Sequence, residues 1–395
     1  MNPLRRMSRV VYDNRWDGVA LLNLLPAPEG RPQPGYGGIG RGTLTAMFRR
    51  SYPGVQLIFL EDLPETADAS AALGLMHEAL AARGGLGVDE IVAARAGRRM
   101  LCAISHRHGD GPTVLSSLFP HCAYVEGGPA KRVPEGFGRR RVTLPAIIAA
   151  AATAALRRPA TAVHAIREAF AEERAVAGAP PPRLQPARGR YRVLRFTRPD
   201  PADRGPRAID RAVRWRAGVA RALGPGALDP WQSWLIVTLR WHPLLAMRAG
   251  NATTRIRMPA HPDEEVAIAR TRRRARSAFP LFRAGFSATV QQARQLAALP
   301  LPEHHARSCG YGLTAEAPTR GLATAWTHNR FDDDAPEGIA TSAVFPGLIA
   351  ANVYDRGPDS TIIVSAYVDE ATMAAIVAAT RGMMTSFGYE ERDPA

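Results

Sequence analysis

Apolar positions recur at helical spacing in Leu73, Met76 and Leu80, and Asp68 stands where a cap belongs, so a helix is expected from Asp68 to Arg83. Ahead of it, Gly42 to Tyr52 reads as a helix and Val55 to Leu60 as a strand. Arg99 to Ile104 is a short apolar strand that runs into a histidine-rich loop. Val114 to Phe119 opens a helix after that loop, with Pro112 suited to its first turn. Leu144 to Leu156 is the most apolar stretch and carries arginines at both ends, Arg139 to Arg141 and Arg157 with Arg158. It falls short of the ~20 residues that span a bilayer, so a buried helix is expected, with contact to a lipid surface the weaker alternative. The next helix ends near Arg174.

Gly178 to Gly189 is too rich in proline and glycine to hold a helix or strand. Beyond it Tyr191 to Phe196 reads as a strand. Asp229 followed by Pro230 has the form of a helix start, so a helix is expected from Trp231 to about Arg240. Thr254 to Met258, Leu322 to Trp326, Ile339 to Val344 and Ser360 to Tyr367 read as strands, and Glu370 to Met384 as a last helix. Strands and helices alternate on both sides of the break, which predicts an α/β architecture in two lobes. The lobes are residues 1–177 and 191–395, with 178–190 as a crossover linker.

The chain has 395 residues and a formal charge of +15, nearly all its cations being arginine. Alanine, glycine and proline are also abundant, as a GC-rich coding sequence would make them, so the charge is weak evidence for nucleic acid. No basic segment interleaves aromatics as nucleic-acid modules do. The charge fits acidic partners or phosphorylated ligands better. Cys102, Cys122 and Cys309 lie far apart and form neither a disulfide framework nor a zinc knuckle, which points to a reducing cytoplasm. The basic N-terminus lacks the long apolar core of a signal peptide, and no stretch is long enough for a transmembrane segment.

The chemistry concentrates in Ser105-His106-Arg107-His108-Gly109-Asp110-Gly111. A histidine just past a strand end is fixed by the sheet yet reaches into a cleft, and with an ordinary pKa near ~6.5 it can take a proton from an alcohol or amine. Asp110 can pair with an arginine and hold the loop, and Gly111 lets the backbone turn. These residues resemble the chloramphenicol-acetyltransferase-like and condensation-domain-like acyltransferases, whose signature is His-x-x-x-Asp-Gly, often with a second histidine before it. Here Ser105 takes that preceding place. Leu223 to Leu239 followed by Arg255 to Pro259, and Gly347 to Asp369, are similar to the family's second-lobe helix and strand and its closing hairpin. The Asp-Phe-Gly-Trp-Gly motif of some branches is absent.

The resemblance implies a two-lobed fold with the active site in a tunnel between the lobes and no bound cofactor or metal. The co-substrate would be a thioester, either acyl-CoA or an acyl group on the phosphopantetheine arm of an acidic acyl carrier protein. The acceptor would be a small-molecule alcohol or amine of specialised or lipid metabolism. His106 would be the general base, Asp110 the structural carboxylate and Gly111 a turn and oxyanion donor. Ser105, His108, His328 and Asn329 would contact substrate, the last two at a strand end where the family often places an asparagine facing the tunnel. The arginine run 270–276 would be a solvated helix face or meet CoA phosphates or a carrier protein. Two other readings stay open. His106-x-His108-x-Asp110 is also the first half of the metallo-β-lactamase zinc signature, although Gly111 stands where its last histidine would be. The fold could also persist as a catalytically inactive binding module.

Overall fold

The structure, a computed structural model, describes residues 19–24, 45, 48–49, 52, 54–66, 68–83, 85–86, 90–97, 99–105, 140–177, 188–199, 208–249, 252–296, 322–331, 338–342 and 348–392. One sheet holds β1 (Val19–Leu24), β2 (Gln56–Phe59), β3 (Glu90–Ala96), β4 (Arg99–Ser105) and, from far along the chain, β11 (Gly338–Ser342). Their order is β11-β1-β4-β3-β2. The other sheet holds β6 (Arg188–Thr197), β7 (Leu228–Thr238), β9 (Thr253–Arg257), β10 (Leu322–Phe331), β12 (Leu348–Arg356), β13 (Asp359–Val368) and β14 (Glu390–Glu391). They run in the order β14-β6-β13-β12-β10-β7-β9, with β10 parallel to both its neighbours and the remaining pairs antiparallel. A short parallel pair, β5 (Arg140–Arg141) with β8 (Arg248–Ala249), stands apart.

The helix expected from Asp68 forms as α1 (Ala69–Ala82), and Asp68 caps it by accepting the N–H groups of Ser70 at 2.9 Å and Ala71 at 3.1 Å. Leu73, Met76 and Leu80 are fully buried. Their cluster takes in Val92 and Leu101 of the first sheet together with Tyr191 and Ile363 of the second, so α1 packs between the two sheets. Polar contacts pin the seam. The Ser70 hydroxyl accepts the Val193 N–H at 2.9 Å, and His77 Nδ1 lies 2.8 Å from the Tyr191 hydroxyl. A side chain on Gly189 would sit 2.7 Å from His77 Nε2, so only glycine lets β6 pass this close.

The main core lies on the opposite face of the second sheet, under α4 (Ala208–Leu223) and α8 (Glu370–Ser386). Trp215 of α4 packs at a tilt against Trp326 of β10, ring centres 5.4 Å apart, and its indole N–H reaches Thr380 of α8 at 3.0 Å. The remaining helices are α2 (Leu144–Arg157), α3 (Pro159–Ala177), α5 (Pro243–Ala246), α6 (Glu264–Arg276) and α7 (Phe279–Leu296).

Three expectations need correction. The segment from Trp231 to Arg240 is not a helix: residues 231–238 belong to strand β7. Its residues 233–236 are buried on both faces, so the apolar run loses the alternation that marks a strand. Pro230 fits because the β7–β10 register jumps from Leu228↔Leu322 to Ser233↔Thr324, leaving the residues between as a bulge without ladder bonds to keep. β6 starts at Arg188, inside the span assigned to the linker. Finally, α2 buries only one face: Leu144, Ala146, Ile147 and Ala150 are covered, while Leu156 is 87% exposed. The helix expected at 114–119 lies outside the described residues, as does most of 42–52.

Candidate active site

β4 lies in the middle of its sheet between β1 and β3 and delivers its last residue, Ser105, at the sheet's end opposite Val19. His106, His108, Asp110 and Gly111 follow directly and lie outside the described residues. The strand itself is firmly held. Cys102, Ala103 and Ile104 are fully buried, and β4 is hydrogen-bonded along both edges. On the next strand Ala20 pairs with Ser342, so the end of β11 lies two strand spacings from Ser105, ~10 Å. Six residues after Ser342 the chain enters β12 at Leu348. The second half of the chain therefore returns to the end of the sheet where β4 finishes.

Leu348 belongs to a small cluster on the sheet face turned away from α4, with Trp234, Ile236, Ala323, Ala325 and Ala350. Alanines give this face a low profile. Two buried polar atoms next to it, Trp234 Nε1 and Thr327 Oγ1, have no hydrogen-bond partner among the described residues. Arg255 and Arg283 lie over the Trp234 ring at 4.4 and 5.2 Å, holding the indole in place.

His328 and Asn329 fall on β10, opposite Val353 and Tyr354 of β12. Alternation puts position 329 on the face of Ala323 and Ala325, and position 328 on the face covered by α4. His328 Nε2 lies 2.7 Å from Asp355 Oδ2 and 2.9 Å from the Arg211 guanidinium. Arg211, reaching down from α4, is 1% exposed and forms a two-pronged ion pair with Asp355; the Ser360 hydroxyl donates to Asp355 Oδ1 at 2.8 Å. Burial pushes the Asp355 carboxyl up. Hydrogen bonds from His328 and Arg211, with the Arg211 charge, outweigh it and hold the group well below the usual carboxylate range. His328 is thus committed to a lock that ties α4 to the ends of β10, β12 and β13.

This lock, and the His77–Tyr191 seam, escaped the sequence. Their members come from points up to 149 residues apart, and only Asp355 before the Gly357-Pro358 turn hinted that a strand end carried a charge worth pairing. Within the arginine run, Arg272 bonds Asp210 at 2.7 Å and Arg274 pairs with Glu168 at 2.9 Å, so part of that face is structural. Among the described residues no group of three His, Cys, Asp or Glu side chains could hold a metal ion.

No family model and no curated protein matches the chain at a significant level. Solved structures do. The trichothecene 15-O-acetyltransferase from Fusarium sporotrichioides superposes with a TM-score of 0.54 at 12% identity, over 95% of this chain and 92% of that one. The starter condensation domain of rhizomide synthetase, solved with C8-CoA and Leu-SNAC, superposes with a TM-score of 0.52 at 11% identity, over 97% of this chain and 95% of that one. At such identities the likeness is one of architecture, and it extends along almost the whole chain. The protein has the two-lobed α/β fold of the condensation-domain-like acyltransferases.

Proposed function

We propose that this protein is an acyltransferase that moves an acyl group from a thioester, acyl-CoA or an acyl carrier protein, to an alcohol or amine acceptor. What supports the reading is that the His106-x-x-x-Asp110-Gly111 pattern follows in sequence directly after Ser105, the last residue of the central strand β4, in a chain whose fold is shared by an acetyltransferase and a condensation domain. The rhizomide neighbour binds C8-CoA, which favours a CoA thioester as donor.

In the proposed reaction His106 takes the acceptor's proton as the acceptor oxygen or nitrogen bonds to the thioester carbonyl carbon. The tetrahedral oxyanion is met by the Gly111 N–H. Collapse breaks the carbon–sulfur bond, and the proton on His106 passes to the departing thiolate. Asp110 holds the loop. Ser105, His108 and Asn329 contact substrate, while His328 acts through Asp355 as a positioning group for the strand end next to Asn329.

Purified protein assayed for thiol release from acyl-CoA with acceptor alcohols and amines tests the reading. His106→Ala should lower turnover by ~10²–10⁴-fold, the range of a general base. His108→Ala should leave it nearly unchanged. Equal activity in wild type and His106→Ala would overturn the assignment. Loss with His108→Ala, together with about one tightly bound zinc per chain, would favour a zinc hydrolase instead.

A further inference from the structure

Every exposed large apolar side chain among the described residues lies on α2, on α3 or in the turn that carries α5. On α2 the outward face consists of Pro145, Ile148, Ala149, Ala152 and Leu156. Thr153 adds one polar group, and its hydroxyl is turned back onto the helix, donating to the carbonyls of Ala149 and Ala150 at 2.9 Å. Alongside, the α5 turn exposes Trp241, Leu244 and Met247 at 51%, 41% and 40%. Between them opens a cleft of about 490 Å³, walled by Ala154, Pro243 and Ala278 and lined by Arg157, Arg158 and Arg276.

Charge completes the pattern. Arg140 and Arg141 are exposed just ahead of α2, and Arg157, Arg158 and Arg276 at its far end. Their side chains take part in no hydrogen bond or ion pair with described residues, unlike Arg190, Arg211, Arg221 and Arg381, which are paired with acids. No Asp or Glu occurs between Glu135 and Glu168 or between Asp229 and Asp263, the segments that hold α2 and the α5 turn.

An apolar helix face ~21 Å long, with cations at both ends and an exposed tryptophan at its edge, matches the boundary between acyl chains and headgroups of a bilayer. The apolar side chains enter the acyl layer while the arginines reach back to lipid phosphates. A second copy of this chain would set the same five arginines against each other. Nucleic acid would find aliphatic side chains where stacking surfaces are needed. No described helix is long and apolar enough to cross a membrane, so contact is confined to the surface.

We propose that α2 and the α5 turn dock this protein on the surface of an anionic lipid bilayer, with lipid phosphates held by Arg140, Arg141, Arg157, Arg158 and Arg276. The full chain should sediment with vesicles made of equal parts phosphatidylcholine and phosphatidylglycerol, stay in solution with phosphatidylcholine alone, and be released by added salt. Arg157→Ser with Arg158→Ser should weaken binding about tenfold or more. Ile148→Glu with Leu156→Glu should abolish it while circular dichroism and thermal melting stay unchanged, because both positions are already in water. Failure of the wild type to sediment with anionic vesicles overturns the proposal. So does undiminished sedimentation of the Glu variant, or wild-type self-association in light scattering that the Glu variant removes.

Discussion

α1 and α2 are matched in length and alanine content, and each starts from a side-chain cap, Asp68 or Thr143. Their surroundings invert what their residues would lead one to expect. α1 carries Ser70 and His77 and is wedged between two sheets. α2 carries no charge before Arg157 and leaves an apolar face in water. Burial in α1 is made tolerable by partners: the Ser70 hydroxyl closes an N–H on β6, and His77 meets Tyr191. Exposure in α2 has no such internal account, which is why it points outward to a ligand surface. How apolar a helix is and how deeply it lies are separate properties, and the second depends on what the rest of the chain brings to it.

Substitutions at opposite depths sharpen this contrast. Met76→Ala should destabilise the protein by about 2–5 kcal/mol in urea unfolding, since Met76 is fully buried and the cavity cannot collapse against two sheets. Next comes pH. Burial lowers the His77 pKa from 6.5 to about 4. The unfolded chain therefore binds a proton at His77 at a pH where the folded chain does not, and stability falls as pH drops from 6.5 to about 4. The loss at this site should approach about 3 kcal/mol, and His77→Gln should flatten that part of the stability–pH curve. The smallest effect is expected on α2: Leu156→Ala, at a position 87% exposed, should change stability by less than ~0.5 kcal/mol. A large loss there would mean that α2 is covered within the protein after all.

The sequence disclosed elements wherever one face is wet. α1 and α8 have clear periodicity or caps and appear within a few residues of their expected limits. It misled where both faces are dry. β12 is buried along Leu348 to Tyr354 and shows no alternation, so only the resemblance of Gly347 to Asp369 to a closing hairpin marked it, as the antiparallel β12–β13 pair bears out, and β7 combined a two-sided apolar run with an Asp-Pro pair that mimics a helix start. The candidate site divides in the same way. The His106 to Gly111 pattern is local and readable. Arg211, Asp355, Ser360 and His328 come together only because α4 crosses the ends of three strands, and Asn329 gains its interest only from the strand that places it.

The pairing of β1 with β11 has a bearing on how the protein is made. β1 lies within the first twenty-four residues, and the partner that covers its outer edge ends at Ser342. At a synthesis rate of ~5–20 residues per second, that edge waits ~15–60 s for its neighbour to be translated. Until then β1 can bond only on its β4 side, and an open strand edge is a template for wrong pairings. Completing the sheet that holds β4 therefore waits on a segment more than three hundred residues further along the chain.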